Sequence, residues 1–580
     1  MIEKMTKYSF ILPASSKESF LEELQTLGVV DISHSEKPVD DRSNRLFEKI
    51  EELKSLYSDI QKGSDRTLEG LLAAGRECGK TLSEVKVWGS YDREKLSVFG
   101  LHYYIVPEKK FDPSWTEEFP LQKVLSADGN VWFVVLGDVS GFPLKEIPAP
   151  SCTEDEAQLA LSRKEDEINA YRKALEARRD ELPQLQQEIA SLSEELNRYL
   201  ASLKGESAAE GALVVFEAFA PESEKSHLKQ KFDTMDCVWM EEPAKAEDAP
   251  PIKLRNNWFA RQFEVLTGMY GMPVYDEFDP TPILAPFFLL FFALCMGDAG
   301  YGLLLITIGL LLKGKSGGLA TLWRLIILLG AGTTVIGLLL GTFLGISLSD
   351  AAWYPAALKR FIISGTVDLM GNSLDLQMVM AVCIGILHIC LAMCIKAVLF
   401  TRRFGFKSNI NTWGWTLLIT GSVLVATLGL LGVCAPDLAK WIIIGIGSVS
   451  ALGIFIFNKP GRNPLINIGA GLWDTYGMAT GLLGDVLSYI RLYALGLAGG
   501  ILGSTFNTLG NMVLGDNPTW QWPLFALLVI FGHALNLAMS CLGAFVHPLR
   551  LTFVEYFKNS GYEGAGRLYS PLSKTTNQNL

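Results

Sequence analysis

The sequence predicts a mainly α chain. A C-terminal eight-helix transmembrane domain with two long tilted helices follows N-terminal cytoplasmic α/β lobes, which an antiparallel coiled-coil arm joins. Three observations predict this fold class. Charged residues are spread through 1–280 and nearly vanish from long stretches between 283 and 557. Two segments of the first half, about 40–62 and 153–204, carry apolar residues at alternating steps of three and four, the spacing of a coiled-coil seam. Short loops punctuate the apolar half, and several are rich in Lys and Arg, as cytoplasmic loops are. The expected boundaries are 1–280 for the cytoplasmic arm and 281–580 for the membrane domain.

The opening stretch "KYSFILPASSKESFLEELQTLGVVDIS" reads as strand, helix, strand. "KVWGSYDREKLSVFGLHYYIVP" and "NVWFVVLGDV" read as further strands, and "ALVVFEAFAPESEKSHLKQKF" repeats the strand-then-helix pattern. The first twenty residues have too short an apolar run for a signal peptide and lack a small-residue cleavage site, so the first half is expected to stay in the cytoplasm.

The long seam comprises Ile168, Tyr171, Leu175, Leu182, Leu185, Ile189, Leu192, Leu196, Tyr199 and Leu203, with Arg178 as its one break and Pro183 as an expected kink. Leu46, Ile50, Leu53, Tyr57 and Ile60 form the shorter one, and the two are expected to pair. Between them, "AGRECGKT" (Ala74 to Thr81) nearly matches a phosphate-binding loop. The match fails physically. Ala74 stands where Gly is needed, and "LEGLLA" before it reads as helix where a buried strand should be.

The net charge of −11 argues against nucleic acid as a partner. Nine Cys and six His show no metal-ligand spacing; Cys383, Cys390 and Cys394 recur at helical steps in an apolar segment and read as packing. No metal, cofactor or catalytic residue is expected.

In the second half the apolar segments are roughly 284–312, 322–347, 376–400, 411–433, 439–457, 477–510 and 520–557. Basic clusters follow several of them: Lys313, Lys315 and Arg324; Arg402, Arg403 and Lys407; Lys459 and Arg462; Lys558, Arg567 and Lys574. With those loops and both termini cytoplasmic, 284–312 must cross twice, broken at "MGDAGYG", which brings the count to eight. Asp298 in that break reads as a polar turn residue. Gly337, Gly341 and Gly345 read as a stripe for close helix packing.

Two arginines lie where lipid should be. Arg491 sits inside "GDVLSYIRLYALGLAGG", and a charge at the centre of a membrane helix costs about 2.5–3.5 kcal/mol on the lenient insertion scale. At ~100° per residue, Gly477, Gly484, Ser488, Ala498 and Leu502 share its side, with Gly481 nearby, and no acid lies on that face to neutralise it. The face is smooth, so another surface can approach. One helix later, Asn536, Ser540, Gly543 and His547 share the face of Arg550, with His533 at its edge. Such a polar stripe lines a water-filled cavity or meets another polar helix. The offset for Arg491 is then expected on another chain, as a carboxylate from which a never-neutral guanidinium displaces a proton or sodium ion.

"GDVLSYIRLYALGLAGG" (484–500) and "HALNLAMSCLGAFVHPLRLTFVEYFKNSGYEGAGRLYSPL" (533–572) resemble the signature of subunit I, also called a, of V/A-type rotary ATPases. "PPIKLRNNWFARQFEVLTGMYGMPVYDEFDPTPILAPFFLLFFALCMGDAGYG" (250–302) resembles that family's entry into the membrane. The resemblance covers the membrane half by motif and the first half by architecture.

It implies a non-catalytic stator subunit in the plasma membrane of a prokaryote. Its last two membrane helices would lean against a ring of proteolipid subunits (c or K). Arg491 matches the family's essential arginine and Arg550 its second arginine. Two offset half-channels would carry H⁺ or Na⁺ to and from the ring carboxylate. The cytoplasmic half would hold peripheral stalk subunits of the E/G type, with central stalk subunits near the ring. Gly484, Ser488, Ala498 and Leu502 would face the ring; His533, Asn536, Ser540 and His547 are this chain's candidates for the ion path.

Acidic half-channel positions of eukaryotic members are Gly477 and Ser540 here, and a His after the arginine is Gly499. The alternatives are a self-contained secondary transporter with a regulatory domain, an ATP-driven pump using "AGRECGKT", and a membrane scaffold with no ion role.

Overall fold

The computed structural model describes residues 1–32, 39–89, 95–96, 98–127, 129–137, 139, 142–314, 322–352, 354–363, 365–369, 372–430, 432, 435–458, 464–514 and 521–574. Lys315, Lys459 and Arg462, three of the loop cations, lie outside them. The chain divides into two compact units: Leu12–Phe216 with residues from Leu572 on, and Met1–Ile11 with Glu217–Pro571.

The first of these units is built on helices with well-made starts. Helix α1 spans Lys17–Leu27. Helix α2, Asp41–Lys62, begins on a capping box in which the Asp40 carboxylate accepts from the Ser43 N–H at 2.9 Å, and it stops at Gly63 in the left-handed region. Helix α3, Arg66–Val85, begins on Asp65, which accepts from the Leu68 N–H at 2.7 Å.

The long seam does not make one helix. It breaks into α4, Glu154–Ala177, and α5, Leu182–Ser202, across a 3-10 turn at Arg178–Glu181. Pro183 sits in the first turn of α5, where a missing N–H costs nothing, rather than kinking a continuous rod.

The pairing is antiparallel and joins four helices in two pairs. Helix α5 packs on α2 through Ile50, Ile189, Leu196 and Leu200, flanked by Leu46, Leu53, Tyr57 and Leu192. Helix α4 packs on α3. The phosphate-loop look-alike is therefore no loop at all: Ala74–Thr81 is the middle of α3, and Gly75 lets Ile168 of α4 approach to 3.1 Å of where a Cβ would stand. A three-stranded antiparallel sheet, Leu101–Pro107, Asn130–Leu136 and Leu121–Ala127 in that spatial order, completes the unit around Tyr104, Val106, Phe133 and Val135.

In the other unit, residues Thr6–Ile11 pair antiparallel with Val238–Pro243, and the rest is mostly apolar helix. Helix α6 spans Thr281–Met296 and α7 Ala299–Leu312; then come α8, Trp323–Leu340, α9, Leu376–Phe404, and α10, Ile410–Leu430. Helix α11, Pro436–Ala451, runs on through a π turn at Leu452–Ile456. Helix α12 runs 51 residues, Pro464–Leu514, and α13, Trp522–Arg550, continues through a π turn at Leu551–Tyr556. Six of these helices are long and apolar enough to cross a membrane, and α6 and α7 are shorter. At 1.5 Å per residue α12 reaches about 75 Å, far beyond a ~30 Å hydrocarbon core.

Of the short pair, α6 sits innermost, whereas α7 packs on α8 and leaves Leu303, Leu304, Ile308, Leu310 and Leu311 exposed. Helix α6 buries Phe288, Phe291 and Phe292 and packs against α8, α12 and α13. The expected break between α6 and α7 is a left-handed Gly297 followed by Asp298, whose carboxylate caps α7. Of the glycine stripe, only Gly337 serves helix packing: a Cβ there would stand 2.2 Å from the Ala299 nitrogen. Gly341 ends α8 with φ 78°, and Gly345, φ 71°, turns a hairpin of Thr342–Phe343 and Ile346–Ser347 against the backbone of Gly503.

Candidate ion-translocation site

Helix α12 carries Arg491 flanked by two side chains that fix its rotation. Tyr489 and Leu492 are fully buried. The Tyr489 ring fills the notch left by Gly385 of α9, and its hydroxyl meets His388 Nδ1 at 3.0 Å. Arg491, about 160° away from Tyr489 by helical geometry, is held off that packed face. Among the described residues its guanidinium makes no ion pair, and its Nη1 is buried with no hydrogen-bond partner. Cys295 and His547 are its electrostatic neighbours, and His547 also feels Arg550. Arg550 itself is exposed.

The proposed ring-facing residues lie on open surface. Gly484, Ala498 and Leu502 are exposed, and Ser488 is half-buried with its hydroxyl donating to the Gly484 carbonyl at 3.0 Å. A Cβ at Gly484 would meet nothing within 4 Å.

Two cavities flank Arg491 along α12. One, about 330 Å³, is lined by Asp474, Gly477, Gly481, Asp485, Lys558 and Asn559 among others. The second, about 270 Å³, lies past the arginine, against Tyr493, Gly496, Gly500, Ser504, Thr342 and Gln377. Position 491 falls between the two sets of lining residues.

The polar stripe of α13 is knit into a directed network. Asn536, 1% exposed, donates to the Tyr301 hydroxyl at 2.8 Å and to the Gly499 carbonyl at 2.9 Å. Ser540 donates to Asn536 Oδ1 at 3.2 Å. Tyr301 OH lies 2.8 Å from His533 Nδ1, and His533 Nε2 lies 2.9 Å from Asn507 Oδ1. Asn507 in turn donates to the Leu344 carbonyl at 2.7 Å. Asn507 Oδ1 can only accept, so His533 Nε2 donates to it and Nδ1 faces the Tyr301 hydroxyl.

Asp298 anchors the same hairpin: it accepts from the N–H groups of Gly300, Leu344 and Gly345, each at 2.8 Å, and of Tyr301 at 3.3 Å. The turn role expected of Asp298 is the one observed.

The structure thus gathers His533, Asn536 and Ser540 in one network and puts His547 between the two arginines electrostatically. Sequence reasoning passed over Tyr301, Asn507, His388, Asp485 and Glu555. Asp485 was visible as the acid six residues before Arg491, but on a bare helical wheel it falls off the arginine's face. Glu555 lies beyond the last α-helical turn of α13, within its π turn.

Residues 144–321 match a family model described as the V-type ATPase 116kDa subunit family. Over 61% of its length the chain is 32% identical to the A-type ATP synthase subunit I of Methanocaldococcus jannaschii, covering 54% of that protein. Over 57% it is 35% identical to the same-named protein of Pyrococcus horikoshii, covering 49%. The V-type ATP synthase subunit I of Borreliella burgdorferi is similar end to end, 25% identical over 99% of this chain and all of that one. These matches support kinship with subunit I of V/A-type ATPases. Within the archaeal members of the subunit I family that it matches, the chain spans about half their length. The motif around Arg491 and the one ending at Leu572 lie in the C-terminal half that carries the six long apolar helices.

Proposed function

We propose that the chain is the membrane-embedded stator subunit of a prokaryotic V/A-type rotary ATPase, translocating H⁺ or Na⁺ together with a proteolipid ring. Residues 281–580 form the ion-translocating domain of eight membrane helices, the short α6–α7 pair counting as two shallow crossings, with both termini cytoplasmic. Residues 1–280 form the coiled-coil arm that holds peripheral stalks of the E/G type and resists torque.

One observation carries the reading. A guanidinium without a carboxylate of its own stands between two cavities on an exposed, small-residue surface of a membrane-length helix. A permanent positive charge there blocks a direct leak between the cavities and expels the ion from each passing ring carboxylate. Arg550 and His547 shape the field beside it. His533, Asn536 and Ser540 border the path on the hairpin side, opposite the cavity at Asp485.

The reading is tested by Arg491→Lys in the assembled complex. Lys keeps the charge and loses the planar, never-neutral head. Coupled pumping should fall about a hundredfold or more while assembly, followed by co-purification of the ring, survives. Normal pumping by that variant rejects the role. The helical state of Ala74–Thr81 removes the loop on which an ATP-driven pump within this chain depended.

A further inference from the structure

We propose that Glu555 and Asp485 form a two-step proton relay from the 330 Å³ cavity to the surface beside Arg491, which makes the transported ion a proton; this rests on the function proposed above. Asp485, 9% exposed, is the innermost carboxylate lining that cavity. Asn559 ties it to the end of α13 by donating to Asp485 Oδ2 at 2.8 Å and to the Glu555 carbonyl at 2.7 Å. Lys558 stands 3.8 Å from Asp485 Oδ1, a loose pair that leaves the oxygen open to water.

Glu555 is the next acid inward. It is 2% exposed, and its Oε2 is fully buried with no hydrogen-bond partner. Ser488 of the proposed ring-facing surface lies beside its carboxyl, and Asp485 and Arg550 are its charged neighbours. Among the described residues no Lys or Arg pairs with it.

A structural buried carboxylate is normally satisfied by several donors, as Asp298 is by four N–H groups. Glu555 breaks that rule beside Ser488 of the proposed ring-facing surface and Asp485 of the cavity wall. Carriage of a proton explains the vacancy, because the protonated acid is neutral and needs no counter-ion. A dehydrated metal cation needs several oxygens to replace its water shell. Glu555 offers a carboxyl and one hydroxyl neighbour.

The transfer balances without other reactants. Hydronium in the cavity protonates the Asp485 carboxylate and leaves water. Asp485 then passes the proton to the Glu555 carboxylate and returns to its charged form. Glu555 in turn gives it to a ring carboxylate newly freed from Arg491. Gly477 and Gly481, on the cavity wall, leave the entrance wide.

The test uses inverted membrane vesicles containing the whole complex, with ATP-driven acidification read by a pH-sensitive dye and ²²Na⁺ uptake read in parallel. Glu555→Gln should cut acidification about a hundredfold, with Glu555→Asp recovering a substantial part. Gly481→Cys, whose Cβ would meet only the Lys558 ammonium at 3.7 Å, should pump until a bulky membrane-impermeant thiol reagent plugs the cavity from the exposed face. If Glu555→Gln pumps normally while Arg491→Lys does not, the relay is wrong and the stator reading stands. Normal pumping by both variants overturns the stator reading as well. Uptake of ²²Na⁺ that persists with a protonophore present overturns the proton assignment, and unaffected pumping by the labelled Gly481→Cys protein overturns the entrance.

Discussion

The two ends of the α12–α13 pair are built on opposite principles. At the hairpin end, polar groups are answered: Asp298 by four N–H groups, and Tyr301, His533, Asn536 and Asn507 by one another and by two backbone carbonyls. At the other end, Arg491 Nη1, Glu555 Oε2, His388 Nε2 and Tyr556 OH are buried without partners. A satisfied network rigidifies, whereas each buried group left without a partner calls for a role of its own, which the proposed function supplies. The difference teaches that polarity in a membrane helix is not one signal: the same residue types brace at one end and work at the other.

The comparison breaks most visibly at Asp298. Asp298→Ala strands four buried or half-buried N–H groups and should cost on the order of 4 kcal/mol. Thermal unfolding in detergent should shift strongly downward, and an unshifted transition would mean that the hairpin end is not braced by that carboxylate.

Next is Gly337→Ala, whose Cβ collides with the α7 backbone. Overpacking of this kind costs about 1–3 kcal/mol. The same thermal measurement checks it, and pumping by the folded fraction should stay normal.

Tyr301→Phe removes one acceptor and one donor from the network and should cost about 1–2 kcal/mol while lowering transport at most a few-fold. If transport collapsed with stability unchanged, the hairpin network would be a conduction chain rather than a brace, and the contrast between the ends would disappear.

The smallest effect lies in the paired helices α2 to α5, whose polar groups belong to the answered kind. Tyr199 donates to Asp40, and Tyr171 donates to Asp65 at 2.6 Å, so each capping carboxylate also latches its helix to the partner packed on it. The Tyr199 hydroxyl, with Ser43, holds Asp40 below its ordinary 3.8. Burial pushes Asp65 up, but Tyr171 and the Leu68 N–H outweigh it and leave it lowered too. A depressed folded pKa means stability that is present above the unfolded value and lost as pH falls through the folded one. Exchange protection in the first turns of α2 and α3, taken relative to the intrinsic rate at each pH, should therefore be unchanged from pH 7 to 5 and fall below pH 3.8. In Asp40→Asn and Asp65→Asn that acid step should be missing.

How legible all this was from the sequence depends on the period of the signal. Membrane helices and heptad seams repeat, so their positions emerged, along with the strand–helix–strand start. The partner of α4 did not emerge, because α3 carries three glycines and reads as a loop motif when taken alone; its helical state is settled by Ile168 and its neighbours packing on it. The arginines were legible because charge in an apolar run is rare. Tyr301, Asn507 and Glu555 were not, because each acts through a contact with a residue far along the chain or beyond a π turn that shifts the helical wheel.

The central claim is that the face of Arg491 meets a ring of partner carboxylates. Gly484→Cys sits on that face with nothing of its own chain within 4 Å. In native membranes holding the complex, a short thiol cross-linker between this cysteine and one placed next to the ring carboxylate should give a covalent adduct of the chain with a ring subunit. The adduct should fail to form from a cysteine at Gly429, on another helix. A Gly484→Cys protein that reacts fully with lipid-soluble maleimide yet never joins a ring subunit would contradict the account.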